Sequence, residues 1–333
     1  MQRSLAAGFL VIASLFAQPL FALKLPADIH LGEAAGVATN STGHIFVYTR
    51  TGNPTAALGN SRVFTHGGSR LFEFDRTGAY LREIGQGIYG FLSAHAARVD
   101  AQDNIWAVDE GTNMIIKFNP EGRVAMVLGR RPEAIEGLAA VAPGTPQPAP
   151  EPYVFSRPTD VGWDGAGNIF ITDGYGNSRV AKFDKTGRFI KQAGTRGDQP
   201  GQLNLPHTMA MDAQGNVYVG DRGNARVQVF DNDLNLKTIY ANVGNPWAVC
   251  ISPGPHQYLF VSNSLPDNGL SQYRDITGEI YKMELDGTII GKFGKAGKQL
   301  KEFSTVHEID CRNPNELLVA EITAWRVQKI ILK

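Results

Sequence analysis

Seven histidines stand in the chain, and three of them share one position of a repeating unit. His95 opens HAARVD at 95–100, His207 opens HTMAMD at 207–212, and His307 opens HEID at 307–310. Each sits where an innermost strand begins, in the second, fourth and sixth copies of the unit. The matching positions of the other copies are Ala35, Thr159 and Trp247. Alternate members of a six-fold ring are about 120° apart, so the three imidazoles converge on the axis. Three neutral imidazoles leave one tetrahedral corner for water or substrate, which is the ligand pattern of a catalytic zinc ion. A single histidine in such a channel reads more simply as a hydrogen-bonded polar residue. The remaining four, His30, His44, His66 and His256, fall on loops or strand ends with no shared column.

The exits of the neighbouring second strands carry further chemistry on the same face. They present Arg50, the run Asp173-Gly174-Tyr175 and the pair Asp221-Arg222. Guanidinium grips carboxylate through two parallel hydrogen bonds, so two arginines at the mouth of a neutral protein point to an anionic substrate. A phenol close to a divalent cation and an arginine is expected to ionise more easily, which makes Tyr175 a candidate general base. The plainer alternatives are a blade-to-blade ion pair for Arg222 and a solvated loop for Arg50.

Positioning these groups requires a closed array of short strands. The clearest recurring segments are HIFVYTR at 44–50, NIWAVDE at 104–110, NIFITDG at 168–174, NVYVGDR at 216–222, QYLFVSN at 257–263 and ELLVAEI at 316–322. Each is followed by another short strand and a turn. Alternation at period two with regular turn signals predicts antiparallel strands throughout, and six four-stranded copies predict an all-β, six-bladed propeller over 23–333. The last copy ends after its third strand. Leu23 to Leu31 is expected to supply the missing one, closing the ring by pairing the N- and C-terminal strands. Three insertions, Thr51 to Ser69, Arg130 to Tyr153 and Ser264 to Gly278, fall on the face that carries the candidate residues.

Composition narrows the function. The 333 residues include 32 basic and 32 acidic side chains, so there is no cationic surplus for nucleic acid. Arg3, an apolar run from Leu5 to Ala17 that is too short to span a bilayer, and a region ending at Ala22 read as a cleaved signal peptide, residues 1–22. The mature chain is therefore expected in the periplasm or outside the cell, with no membrane attachment. The only two cysteines, Cys250 and Cys311, make no CxxC pair; they are expected either to face each other across neighbouring blades or to remain free thiols.

The motifs HAARVD at 95–100, RPTDV at 157–161, DGYGNSR at 173–179, LPHTMAMD at 205–212, DRGNAR at 221–226 and VHE at 306–308 resemble those of the peptidyl-α-hydroxyglycine α-amidating lyases. The resemblance runs from about Gly36 to the C-terminus. It implies zinc on His95, His207 and His307, a catalytic Tyr175, and active-site arginines at Arg50 and Arg222. It also implies a structural calcium ion held by the backbone carbonyls of Val37 and Ala97 and by the Glu308 carboxylate. The family has aspartate where Glu308 stands, methionine where Thr305 stands, and a cysteine where Gly176 follows the tyrosine. The implied reaction cleaves a peptidyl-α-hydroxyglycine to a peptide amide and glyoxylate, so the expected partner is a peptide or small molecule with a carboxylate. Two other classes fit a propeller: a metal-dependent hydrolase or lactonase, with Glu308 the one carboxylate next to a ligand in sequence, and a non-catalytic binding module.

Overall fold

Each repeat becomes a blade because its strands alternate buried apolar and outward polar residues and are joined by turns that only a few residue types accommodate. The aspartate opening such a turn folds its carboxylate back onto the backbone. Asp184 Oδ1, for example, accepts from the Thr186 and Arg188 amides at 2.8 and 3.0 Å. Gly187 closes that turn at φ +86°, a region that side chains with a Cβ seldom enter. Asp75, Asp164, Asp212 and Asp231 make the same contacts in their own turns.

The computed structural model describes residues 21–51, 55–58, 62–65, 68–131, 149–264, 277–313 and 315–332. The run Leu5–Ala17 and most of the three insertions lie outside them. Among the described residues, five sheets have four antiparallel strands and the sixth has three, giving the expected six-bladed propeller. A separate hairpin, Thr55–Leu58 with Arg62–Thr65, lies within the first insertion. The innermost strands are Glu33–Thr39, Ala94–Val99, Asp160–Trp163, Pro206–Met211, Pro246–Ile251 and Val306–Asn313. Each contacts the next around the ring, and the sixth contacts the first. Apolar layers of Phe, Ile, Val and Trp fill the spaces between blades. No helix among the described residues is long and apolar enough to cross a membrane.

Closure differs from the expectation. Residues 23–31 do not pair with the last strand, Arg326–Ile331. Lys24 instead makes one rung with blade one, donating to Gly78 O at 2.7 Å and accepting from the Tyr80 amide at 3.1 Å. Pro26 then lacks the N–H a ladder needs, and the chain turns, with the Ile29 amide on Pro26 O at 3.0 Å. Leu23, Leu25, Ile29 and Leu31 still pack on the core shared by blades one and six. The seam is held by the innermost strands: the Val37 amide donates to Glu308 at 2.8 Å, and the Thr39 hydroxyl to Asp310 at 3.0 Å.

Cys250 and Cys311 form a disulfide between the inner strands of blades five and six, with Cα atoms 6.0 Å apart. It closes a loop of 61 residues, next to the seam. Serine at both positions is expected to lower unfolding free energy by about 4 kcal/mol on the chain-entropy argument, read as a lower denaturant midpoint. A second expectation concerns acid. The carboxyls of Asp75 and Asp184 are held below their ordinary value chiefly by the Thr77 and Thr186 hydroxyls, that of Asp231 by the Asn235 side chain, and that of Asp286 by the Thr288 amide. A depressed carboxyl stabilises the fold above its unfolded value and loses that contribution as pH falls. Thermal midpoints should therefore drop as pH is taken below about 4, where unfolded aspartates take up protons first.

Candidate metal centre and its surroundings

All the innermost strands but the third share one irregularity, and it helps to build the site. In blades one, two, four and six the ladder slips by a residue at Ala35, His95, His207 and His307 respectively. A bulge leaves its extra residue unpaired and turns it out of the pleat. In the even blades that residue is a histidine aimed at the axis. In the odd blades the same column offers a carbonyl oxygen instead. His95 Nδ1 meets Thr159 O at 2.6 Å, His207 Nδ1 meets Trp247 O at 2.6 Å, and His307 Nδ1 meets Ala35 O at 2.7 Å.

A carbonyl can only accept, so each Nδ1 carries the proton and each Nε2 presents a lone pair. The three rings converge, with centroids 4.6, 4.6 and 4.8 Å apart. One ligand atom from each lies within 4.8 Å of the others, and all three residues are buried. Nε2 of His207 and of His307 finds no hydrogen-bond partner among the described residues. Burial holds all three imidazoles well below the ordinary histidine range, which keeps them neutral. Three neutral donors with locked tautomers and two orphaned lone pairs fit a metal ion, and the cluster can hold one.

Tyr175 stands beside the cluster, its hydroxyl 3.3 Å from His95 Nε2. Arg157 lies over its ring at 4.2 Å and Arg222 at 5.5 Å. Arg222 is buried and also lies over Trp247 at 4.0 Å. The protein's own groups do not lower the phenol as expected. Withdrawal from water raises it above its ordinary value, and the pull of Arg222, Arg157 and Arg50 only partly offsets this.

Arg50 is not a solvated loop residue. Its Nε pairs with Glu33 at 2.7 Å, and another guanidinium nitrogen pairs with Glu110 at 3.0 Å. The other oxygen of Glu110 holds Arg157 at 2.6 Å, so one carboxylate links two arginines around the tyrosine. Sequence reasoning missed Glu110 and Arg157. Glu110 was legible as the second-blade counterpart of Arg50 in the exit column, and Arg157 stands two residues before Thr159. The aspartates at the strand exits serve the fold. Asp173 pairs with buried Arg179 at 3.0 Å, and Asp221 with Arg226 at 2.7 Å.

Val37, Ala97 and Glu308 do come together, through different atoms from those expected. Glu308 Oε2 accepts from the amides of Val37 and Ala97 at 2.8 and 3.1 Å. Its other oxygen lies 2.9 Å from Arg98 Nε. Glu308 therefore faces amide donors and a guanidinium, burial pushes its carboxyl up to about 8, and Oε1 makes no hydrogen bond among the described residues. Replacing His207 by alanine is expected to weaken metal binding by about a hundredfold or more, measured as metal content after dialysis, because a ligand should matter more than the groups that orient it.

With this geometry in hand, three resemblances are informative. Residues 203–230 match the NHL repeat. A probable peptidyl-α-hydroxyglycine α-amidating lyase of Caenorhabditis elegans is 29% identical over 216 residues, which are 62% of this chain and 57% of that protein. The chain thus spans little more than half the length of that relative. Human NHL repeat-containing protein 3 is 30% identical over 278 residues, covering 79% of this chain and 72% of that one. A solved streptogramin B lyase superposes with a TM-score of 0.55 at 16% identity, over 94% of this chain and 97% of its own, a likeness of fold. The chain belongs to the family of NHL-repeat β-propellers that includes the peptidyl-α-hydroxyglycine α-amidating lyases.

Proposed function

We propose that the chain is an exported zinc-dependent carbon–nitrogen lyase that splits an N-acyl hemiaminal, such as a peptidyl-α-hydroxyglycine, into an amide and glyoxylate. The observation that carries this reading is the Tyr175 hydroxyl 3.3 Å from His95 Nε2, beside a three-histidine cluster ringed by arginines. Relatives named as amidating lyases support the choice of reaction.

His95, His207 and His307 would hold the zinc. Bound there, zinc supplies a Lewis acid that makes the substrate's α-hydroxyl more acidic. Tyr175, as the phenolate, takes the hydroxyl proton. The carbon–oxygen bond becomes the aldehyde of glyoxylate as the carbon–nitrogen bond breaks, and the departing amide nitrogen takes up a proton. No water is consumed. The positive field of Arg50, Arg157 and Arg222 favours both the phenolate and the substrate carboxylate. Glu110 keeps two of these arginines in place.

Tyr175→Phe separates base from ligand. The variant is expected to keep the bound metal and to release glyoxylate from an α-hydroxyglycine model compound about a hundredfold more slowly, or worse. Release at the native rate would sink the role given to Tyr175. A metal-loaded native chain that yields no glyoxylate at all would favour a binding module instead.

A further inference from the structure

The axial channel beside the histidine layer holds a second charged layer, and its cation is part of the chain. Arg98 lies on the inner strand of blade two, three residues after His95. Its guanidinium takes Asp160 in both hands, Nε to Oδ1 at 2.9 Å and a terminal nitrogen to Oδ2 at 2.6 Å. Nε is also 2.9 Å from Glu308 Oε1, and the terminal nitrogens reach Ile309 O and the Thr208 hydroxyl at 3.4 Å. Arg98 thus ties blade two to three, four and six across the axis.

Most of the remaining capacity of the carboxylates it faces is filled by donors, while Glu308 Oε1 has only its charge contact with Arg98. Asp160 accepts from the Val161 and Met209 amides at 2.8 and 2.9 Å and from the Thr208 hydroxyl at 3.0 Å. Glu308 accepts from Val37 and Ala97. The cavity that His95, His207 and His307 share with Arg98, Asp160 and Glu308 does not admit a water-sized sphere.

Calcium needs six to eight oxygen ligands at about 2.3–2.6 Å. Here the one carboxylate of the implied calcium set has amide protons on one oxygen and a fixed positive charge on the other. A divalent ion would have to displace that guanidinium from two buried carboxylates at once. The donor set does not fit calcium. We infer that Arg98 is a built-in cation occupying the place of the structural calcium ion, so that this propeller carries one metal ion rather than two. The inference stands apart from the lyase reading, because neither its basis nor its test involves turnover.

The test uses the full mature chain, with calcium alone as the probe. The native protein, equilibrated in millimolar calcium and desalted, should carry well under one equivalent of calcium, and its melting temperature should not move on adding the ion. Arg98→Lys keeps a cation and should behave the same way. Arg98→Ser leaves Asp160 and Glu308 facing each other, and should either take up about one equivalent of calcium with a rise in melting temperature or melt well below Arg98→Lys without it. About one equivalent of calcium on the native chain overturns the inference, whether or not Arg98→Ser folds. So does an Arg98→Ser protein that melts like the native one and takes up none.

Discussion

The hydrogen bond from an imidazole Nδ1 to a backbone carbonyl of the next blade is the contact on which the rest of this molecule depends. It needs a bulge in the inner strand of each even blade to turn the histidine inward, and in blades one and five a slip in the partner strand as well. It fixes the tautomer, so the lone pair left over points at the axis. The same bond crosses a blade boundary, so it ties the ring together while preparing the centre. At the junction of blades six and one, where no chain connection helps, His307 and Ala35 make it again. Fold and site are here one set of contacts.

Around that contact the protein manages two opposing pressures. Burial disfavours charge, and it acts on the imidazoles and on Tyr175 alike. For the histidines this is useful, since only the neutral ring can ligate. For the tyrosine it runs against the phenolate, and Arg222, Arg157 and Arg50 offset only part of it. A phenol so placed stays protonated until a further positive charge arrives nearby. On the proposed reading, ionisation of Tyr175 would then depend on a metal ion held by the three histidines.

The sequence made the blades and the histidine column legible because both depend on local order. Alternation predicts a strand from its own residues, and a column needs only that strands begin at equivalent points. What it could not display were pairings set by the third dimension. Pro26 diverts the N-terminal segment after one rung, and the apolar residues around it looked as suitable for a strand as for packing. Arg50 read as free because its partner, Glu110, is 60 residues away and one blade over. Arg98 sat inside a recognised motif, yet its importance lies in reaching across the axis to blades three, four and six. The exit column put Tyr175 on the face of the histidines, beside which it lies, while the direction of its shift required knowing how far water is excluded.

The alternation of imidazole and carbonyl around the axis carries a consequence for how such a ring can vary. Two kinds of blade succeed one another, and a closed circle can alternate two kinds only if their number is even. One repeat gained or lost would set two like neighbours side by side: two histidines with no carbonyl between them, or two carbonyls with no ring to receive. Either fault would leave an imidazole without its orienting partner or open the three-fold spacing. Repeat arrays commonly change length one unit at a time, but this centre counts in twos. The working unit of the ring is the pair of blades, three times over, and a circle of five or seven could keep the fold but not the site.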